Sequence, residues 1–320
     1  LIAAPRARWS RPDGVGSVSC HSKDMEPVRR GFTVALAFLT PMCHPSAAAF
    51  EVGNETMKSA QILKQKINSN HLTLGVIVTF HLWPGVVETA MKSGLDYLIL
   101  DLEHMGHDSE RTADACAMGR MLDFPVLVRP ASAEMTLLRL ALDLGPCGLL
   151  TPYVEDAATL EAVRDAVYLK PRGRRRPGGP GVRWVSSFNY ESWKTEVEDD
   201  LVVLPQIESR KGLANVDAIA RHPLTTAMAV GPYDLSADLG VCWKPDSPEL
   251  TGALDQIRAA ARAAGKNMWN IGDAATLIGR GYTFLCIAEP TMLLENTLKS
   301  AVAQARSAQV GAAKDATPLP

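Results

Sequence analysis

At 320 residues, 47% apolar and 21% charged, the chain has the makeup of a globular protein with a sizeable core and the length of one large domain with tails. A formal net charge of −2 excludes a general attraction to nucleic acid or an anionic membrane, and no apolar run approaches the length that spans a bilayer. The six cysteines (Cys20, Cys43, Cys116, Cys147, Cys242 and Cys286) are scattered without a C-x-x-C pair, which argues against a zinc ribbon and reads as reduced thiols of a cytoplasmic protein.

In chain order, residues 1–24 are rich in Arg, Ser, Gly and Pro without periodicity. Residues 25–50 then set Arg29-Arg30, an apolar stretch over 32–39 and Ala47-Ala48-Ala49 in the order of a signal peptide, with Pro41 and His44 interrupting it. Export is therefore the alternative to the cytoplasm. The competing reading makes residues 1–56 an extension ahead of a natural start at Met57. From 57 to 307 a grammar of apolar run, polar loop and amphipathic segment repeats. The apolar runs are 74–80, 97–102, 126–128, 148–152, 201–207, 226–230, 267–271 and 283–288. They alternate weakly, as strands covered on both faces do. Helical stretches are expected over 86–93, 135–144, 156–169, 248–264 and 289–305, with Gly94, Gly145, Gly265 and Gly281 at C-cap positions. Residues 308–320 read as a flexible tail.

Eight strand–helix repeats predict an α/β fold, a parallel (β/α)₈ TIM barrel over 57–307. A doubly wound sheet would want a glycine-rich phosphate turn after its first strand, and Phe80-His81-Leu82-Trp83-Pro84-Gly85 is not one. In a barrel, chemistry belongs at the C-terminal ends of the strands. There the second run ends in Asp101-Leu102-Glu103-His104 and the third in Arg129-Pro130. The fifth ends in Gln206-Ile207-Glu208, and the sixth leads into Gly231-Pro232-Tyr233-Asp234-Leu235-Ser236. Polar groups concentrated at one end of successive strands need a metal, a substrate or each other to offset desolvation.

Glu208 and Asp234 both follow apolar strands, so the fold can converge them as ligands of a hard cation, or they can cap helices or pair with Arg129. His104 beside Asp101 suits a proton shuttle or a structural role. Arg129 would hold a carboxylate or an enolate oxygen, or form an ion pair with Asp101 or Glu103. A Schiff-base aldolase needs a lysine in the barrel mouth; the one candidate, Lys266, falls at the near edge of the seventh run, the wrong end.

Taken in register, Asp101–His104, Val128-Arg129-Pro130, Gln206–Glu208 and Gly231–Gly240 resemble the successive motifs of the HpcH/HpaI aldolase family. The resemblance runs from Met57 to Ser307. It implies a class II pyruvate aldolase that cleaves or forms the C3–C4 bond of 4-hydroxy-2-oxo acids, giving pyruvate and an aldehyde. It further implies Mg²⁺ or Mn²⁺, with Co²⁺ a further candidate, held by Glu208 and Asp234. Arg129 would stabilise the enolate oxygen, and His104, oriented by Asp101, would move the proton. Gln206 would sit beside the metal, and N–H groups after Gly231, with Pro232 and Ser236 in the same loop, would bind the pyruvate carboxylate. A homo-oligomer, a hexamer, is the assembly it suggests.

The chain departs from the family between 170 and 181, where extra arginines and prolines appear. Arg175 there is a candidate for the far end of an acidic substrate, and Trp184, Phe188, Tyr190 and Trp193 for an apolar lid. The alternatives to an aldolase are a citrate lyase beta-like enzyme acting on a CoA thioester and a non-catalytic barrel that binds a metal and a 2-oxo acid.

Overall fold

A computed structural model describes residues 57–69, 71–176, 183–185 and 187–315. Eight parallel strands close in sequence order into a barrel. They are β1 (Thr73–Val78), β2 (Tyr97–Asp101), β3 (Val126–Arg129), β4 (Gly148–Thr151), β5 (Val202–Ile207), β6 (Met228–Val230), β7 (Met268–Ile271) and β8 (Phe284–Cys286). Each falls on one of the eight apolar runs. Every residue of β2 through β6 and of β8 is buried, because one parity of side chains fills the barrel while the other lies under helices. That double cover is why the runs alternate so weakly.

The helices, in chain order, are α1 (Lys58–Asn68), α2 (Val86–Lys92), α3 (Ser109–Met121), α4 (Met135–Asp143), α5 (Ala157–Val167), α6 (Tyr190–Trp193), α7 (Arg210–Ala214), α8 (Val216–Arg221), α9 (Pro232–Asp238), α10 (Pro248–Ala263), α11 (Ala274–Gly279) and α12 (Pro290–Asp315). Side chains of Asp108, Asp156, Ser209, Ser247 and Asp273 accept from first-turn N–H groups, fixing where a helix starts after a loop. The expected capping glycines take left-handed φ values of 79° (Gly94), 81° (Gly145), 69° (Gly265) and 80° (Gly281).

The barrel interior is plugged by aromatics rather than open. Tyr97 and Phe284 meet edge to face at 5.2 Å; the Tyr97 hydroxyl donates to Leu285 O (2.7 Å) and accepts from Trp269 Nε1 (2.8 Å). The Tyr97 ring lies where a Cβ on Gly75 would stand, so this layer requires glycine at that position of β1.

Among the helices the sequence did not single out is α1, and α12 is longer than expected. Helix α1, with Ala60, Leu63 and Ile67 buried, covers the N-terminal end of the barrel; Asn267, just ahead of β7, donates to Ile67 O at 3.0 Å. Helix α12 runs on past Ser307, where the sequence suggested a tail, through a segment rich in the helix formers Ala, Gln and Lys. The signal-like residues 25–50, like all of 1–56, and the last five residues lie outside the described ones. No described helix is long and apolar enough to cross a membrane.

Candidate active site

The site begins with one register pair. Asp101 and Arg129 stand opposite each other at the ends of β2 and β3. Both are buried, and the guanidinium grips the carboxylate twice: Nε to Oδ1 at 2.9 Å and a terminal nitrogen to Oδ2 at 2.5 Å. Oδ2 also accepts from Thr79 Oγ1 (3.0 Å) and Oδ1 from Glu103 N (2.9 Å). Burial by itself would push the Asp101 carboxyl up; Arg129 and these N–H and O–H donors outweigh it and hold the carboxyl below its ordinary value. The other terminal nitrogen of Arg129 lies 3.2 Å from Glu103.

Around this clamp three further carboxylates gather. Glu208, 2% exposed just past β5, is pushed up to about 8, first by burial and then by the nearby carboxylates of Glu103 and Asp234. The Tyr153 N–H, bonded to Glu208 Oε2 at 2.8 Å, and Arg129 offset that only in part. Glu103 is likewise raised by burial, with Asp101 and Asp234 adding to it and Arg129 and His104 opposing. Asp234 lies in the first turn of α9 and is half-buried. The Gln206 amide oxygen is buried with no partner. At Gly231 a Cβ would stand 2.0 Å from Glu208 Oε1 and 2.8 Å from Gln206 Nε2, so the β6–α9 loop can pass this close only as glycine. The site therefore holds more negative than positive charge, together with an unpaired amide oxygen, and this donor set suits a hard divalent cation. Among the described residues no three acidic, His or Cys groups are close enough to form a complete cage.

Sequence reasoning missed Tyr153. It follows β4 with a left-handed φ of 48°, its N–H serves Glu208, and its half-exposed ring has its phenol pushed up by burial and by Asp234, Glu208 and Glu103. A bulky residue in that backbone region is strained, and such strain collects at functional sites. Nothing in Thr151-Pro152-Tyr153 signals that conformation.

Other expectations need correction. His104 is exposed on the loop after β2, and no hydrogen bond among the described residues joins it to Asp101, whose oxygens are committed to Arg129, Thr79 and Glu103. Ser236 is wholly buried; its hydroxyl donates to Tyr233 O (2.7 Å) and accepts from Trp243 N (2.9 Å), so it staples its loop rather than facing a substrate. The Gly231 N–H bonds Ile207 O at 3.1 Å, and Pro232, at the start of α9, has no N–H to give. Arg175 is at the wrong end of the barrel: buried, it bonds Asp143 at the end of α4 (3.0 Å) and pairs with Leu169 beyond α5. The aromatics near it follow suit. Arg120, at the end of α3, lies over the Trp184 ring at 5.5 Å, and Trp193 is buried in the core. These residues lie between α5 and β5, and a helix-to-strand connection in a barrel runs along the N-terminal face, away from the mouth. Lys266 also sits ahead of its strand, donating to His222 O at 2.8 Å.

Fold and site together define a (β/α)₈-barrel enzyme with an acidic mouth anchored by one buried arginine. Residues 83–296 match the family described as HpcH/HpaI aldolase/citrate lyase. The chain is 30% identical over 248 residues to the hydroxypyruvate/pyruvate aldolase of Pseudomonas aeruginosa, covering 74% of this chain and 89% of that protein. It is 31% identical over 227 residues to a 2-keto-3-deoxy-L-rhamnonate aldolase of Klebsiella pneumoniae, covering 69% and 85%. The crystal structure of an HpcH/HpaI aldolase from Desulfitobacterium hafniense superposes with a TM-score of 0.68 at 25% identity, over 76% of this chain and 96% of that one. The protein belongs to the HpcH/HpaI aldolase/citrate lyase family and is a carbon–carbon lyase.

Proposed function

We propose that the chain is a divalent-metal-dependent aldolase that splits a 4-hydroxy-2-oxo acid into pyruvate and an aldehyde, and joins them in reverse. The observation that carries this reading is the surplus of carboxylate at the mouth: Glu103, Glu208 and Asp234 around a guanidinium already committed to Asp101. Glu208 and Asp234 would hold the cation, Mg²⁺ or Mn²⁺, with the Gln206 amide oxygen beside them and the remaining positions left to water and substrate. Bound there, a divalent cation supplies Lewis acidity that polarises the 2-oxo group and stabilises the charge left when the C3–C4 bond breaks.

The chain's own residues supply the rest. Arg129 cannot rotate away from Asp101, and its remaining N–H groups would receive the developing enolate oxygen without reorganising. In the β6–α9 loop, the N–H groups of Tyr233 and Asp234 are the donors left for a substrate carboxylate. His104 would carry protons between the mouth and solvent, its tautomer set by something other than Asp101. Asp101 acts as the positioning residue for Arg129. The aldehyde enters from the exposed rim, where Tyr153 stands.

A homo-oligomer belongs to the same proposal. Along α12, Met292, Leu293, Leu294, Leu298 and Val302 are exposed, and a mostly apolar groove of about 600 Å³ opens between the start of that helix and α2.

Exchange of the pyruvate methyl protons in D₂O, followed by NMR with Mg²⁺ or Mn²⁺ and then with EDTA, tests the enolate chemistry without knowledge of the aldehyde. Metal-dependent exchange that vanishes in Glu208→Ala and Asp234→Ala is expected. No exchange with any divalent cation, in protein shown to be folded by circular dichroism, would overturn the proposal.

A further inference from the structure

At the N-terminal end of the barrel, opposite the mouth, a cavity of about 490 Å³ opens between the C-terminal ends of α1 and α10 and the starts of β7 and β8. Three cationic side chains line it, Arg258, Arg262 and Lys266, and no carboxylate does. None of the three has an ion-pair partner within 4.0 Å among the described residues. We infer that this cavity is a binding site for a phosphoryl group, either inorganic phosphate or the phosphate of a small phosphomonoester.

The walls are built rather than loose. The Arg258 guanidinium lies 4.8 Å over the Tyr282 ring and donates to Arg280 O. Lys266 Nζ is tied to His222 O at 2.8 Å. Asn267 closes the floor, its amide bonded to Ile67 O and Thr283 Oγ1, both at 3.0 Å. Each carbonyl bond occupies one N–H of a group that carries three in lysine and five in arginine, so donors remain for a ligand.

Helix capping explains part of this pattern, since cations gather at helix C-termini. It does not explain three of them around one cavity. Lysine heads that only cap stay in water, whereas Lys266 is half-buried with its ammonium pushed below the ordinary lysine value by burial and by nothing else. The carbonyl ends of α1 and α10 oppose an anion here, so a singly charged one gains little. A compact dianion facing three cations overcomes that field, and the planar fork of arginine matches phosphate oxygens.

Calorimetric titration of the full chain with inorganic phosphate, in low-chloride buffer, tests the inference. One phosphate per chain is expected, together with a rise in melting temperature that grows with phosphate concentration. Arg262→Gln changes an exposed side chain and preserves the fold; it should weaken binding about tenfold, and Lys266→Gln at least as much. Glu208→Gln, which alters the mouth, should bind phosphate as the parent does. A hexose phosphate should compete with phosphate for the same site, and succinate should not. No saturable binding, binding untouched by Arg262→Gln, or succinate displacing phosphate on equal terms would each overturn the assignment.

Discussion

Glu208 couples the mouth to protons. Its folded value, about 8, stands above the ordinary carboxylate value of 4.5, so between those limits the native state holds a proton that the unfolded chain has released. In metal-free protein the stabilisation from that proton is fully present below about pH 4.5 and is lost as pH rises through 8, on the order of a few kcal/mol across the window. Urea titrations of EDTA-treated protein at pH 5 and pH 8 should show the decline, and Glu208→Gln should flatten it. A cation held by Glu208 as proposed would have to displace the same proton, so its affinity should climb with pH up to about 8, with about one proton released at neutral pH. Calorimetry in buffers of different ionisation enthalpy reads that number. Gly231 poses a purely steric question. Its φ of −101° is open to any residue, yet a Cβ would strike Glu208. Gly231→Ala is expected to cut turnover at least tenfold, at a cost of about 1–3 kcal/mol in stability.

At the scale of elements, the connection between α5 and β5 separates a structural arginine from the one proposed for the mouth. Arg175 and Asp143 join the ends of α4 and α5 at the N-terminal face. Arg175→Ala should therefore lower stability by about 1–3 kcal/mol and leave kcat/KM unchanged; a raised KM for an acidic substrate would restore Arg175 to the site. The barrel rule assigns this connection to the N-terminal face from topology alone, so the sequence held that answer and local composition obscured it. A cluster of arginines and aromatics looks the same whether it binds a ligand or braces two helices.

At the scale of the whole molecule, α12 is the element the monomer leaves uncovered, exposed from Met292 to Gln309 despite its apolar residues. If the proposed homo-oligomer forms through this face, Leu298→Glu should shift its mass toward monomer in light scattering while circular dichroism stays unchanged. A parent of monomer mass would overturn the proposed homo-oligomer, and an oligomer unaltered by Leu298→Glu would place its interface elsewhere.

The sequence by itself determined the architecture. Eight buried parallel strands must be apolar on both faces, and glycine must end a helix that turns left-handed, so both features are written in residue type and spacing. It also located the polar residues of the mouth, because Arg129 and Gln206 interrupt apolar strands at their C-terminal ends and Glu208 and Asp234 follow such strands, where desolvation makes polarity conspicuous. Partnership was decided only by the tertiary structure. Asp101 is three residues from His104 in the chain, but the register of β2 on β3 sets it against Arg129, and a buried guanidinium outcompetes an exposed imidazole for the carboxylate. Tyr153 enters the site through a backbone angle, and Ser236 leaves it through two hydrogen bonds. Such contacts depend on how elements tens of residues apart are brought together, which local sequence patterns do not record.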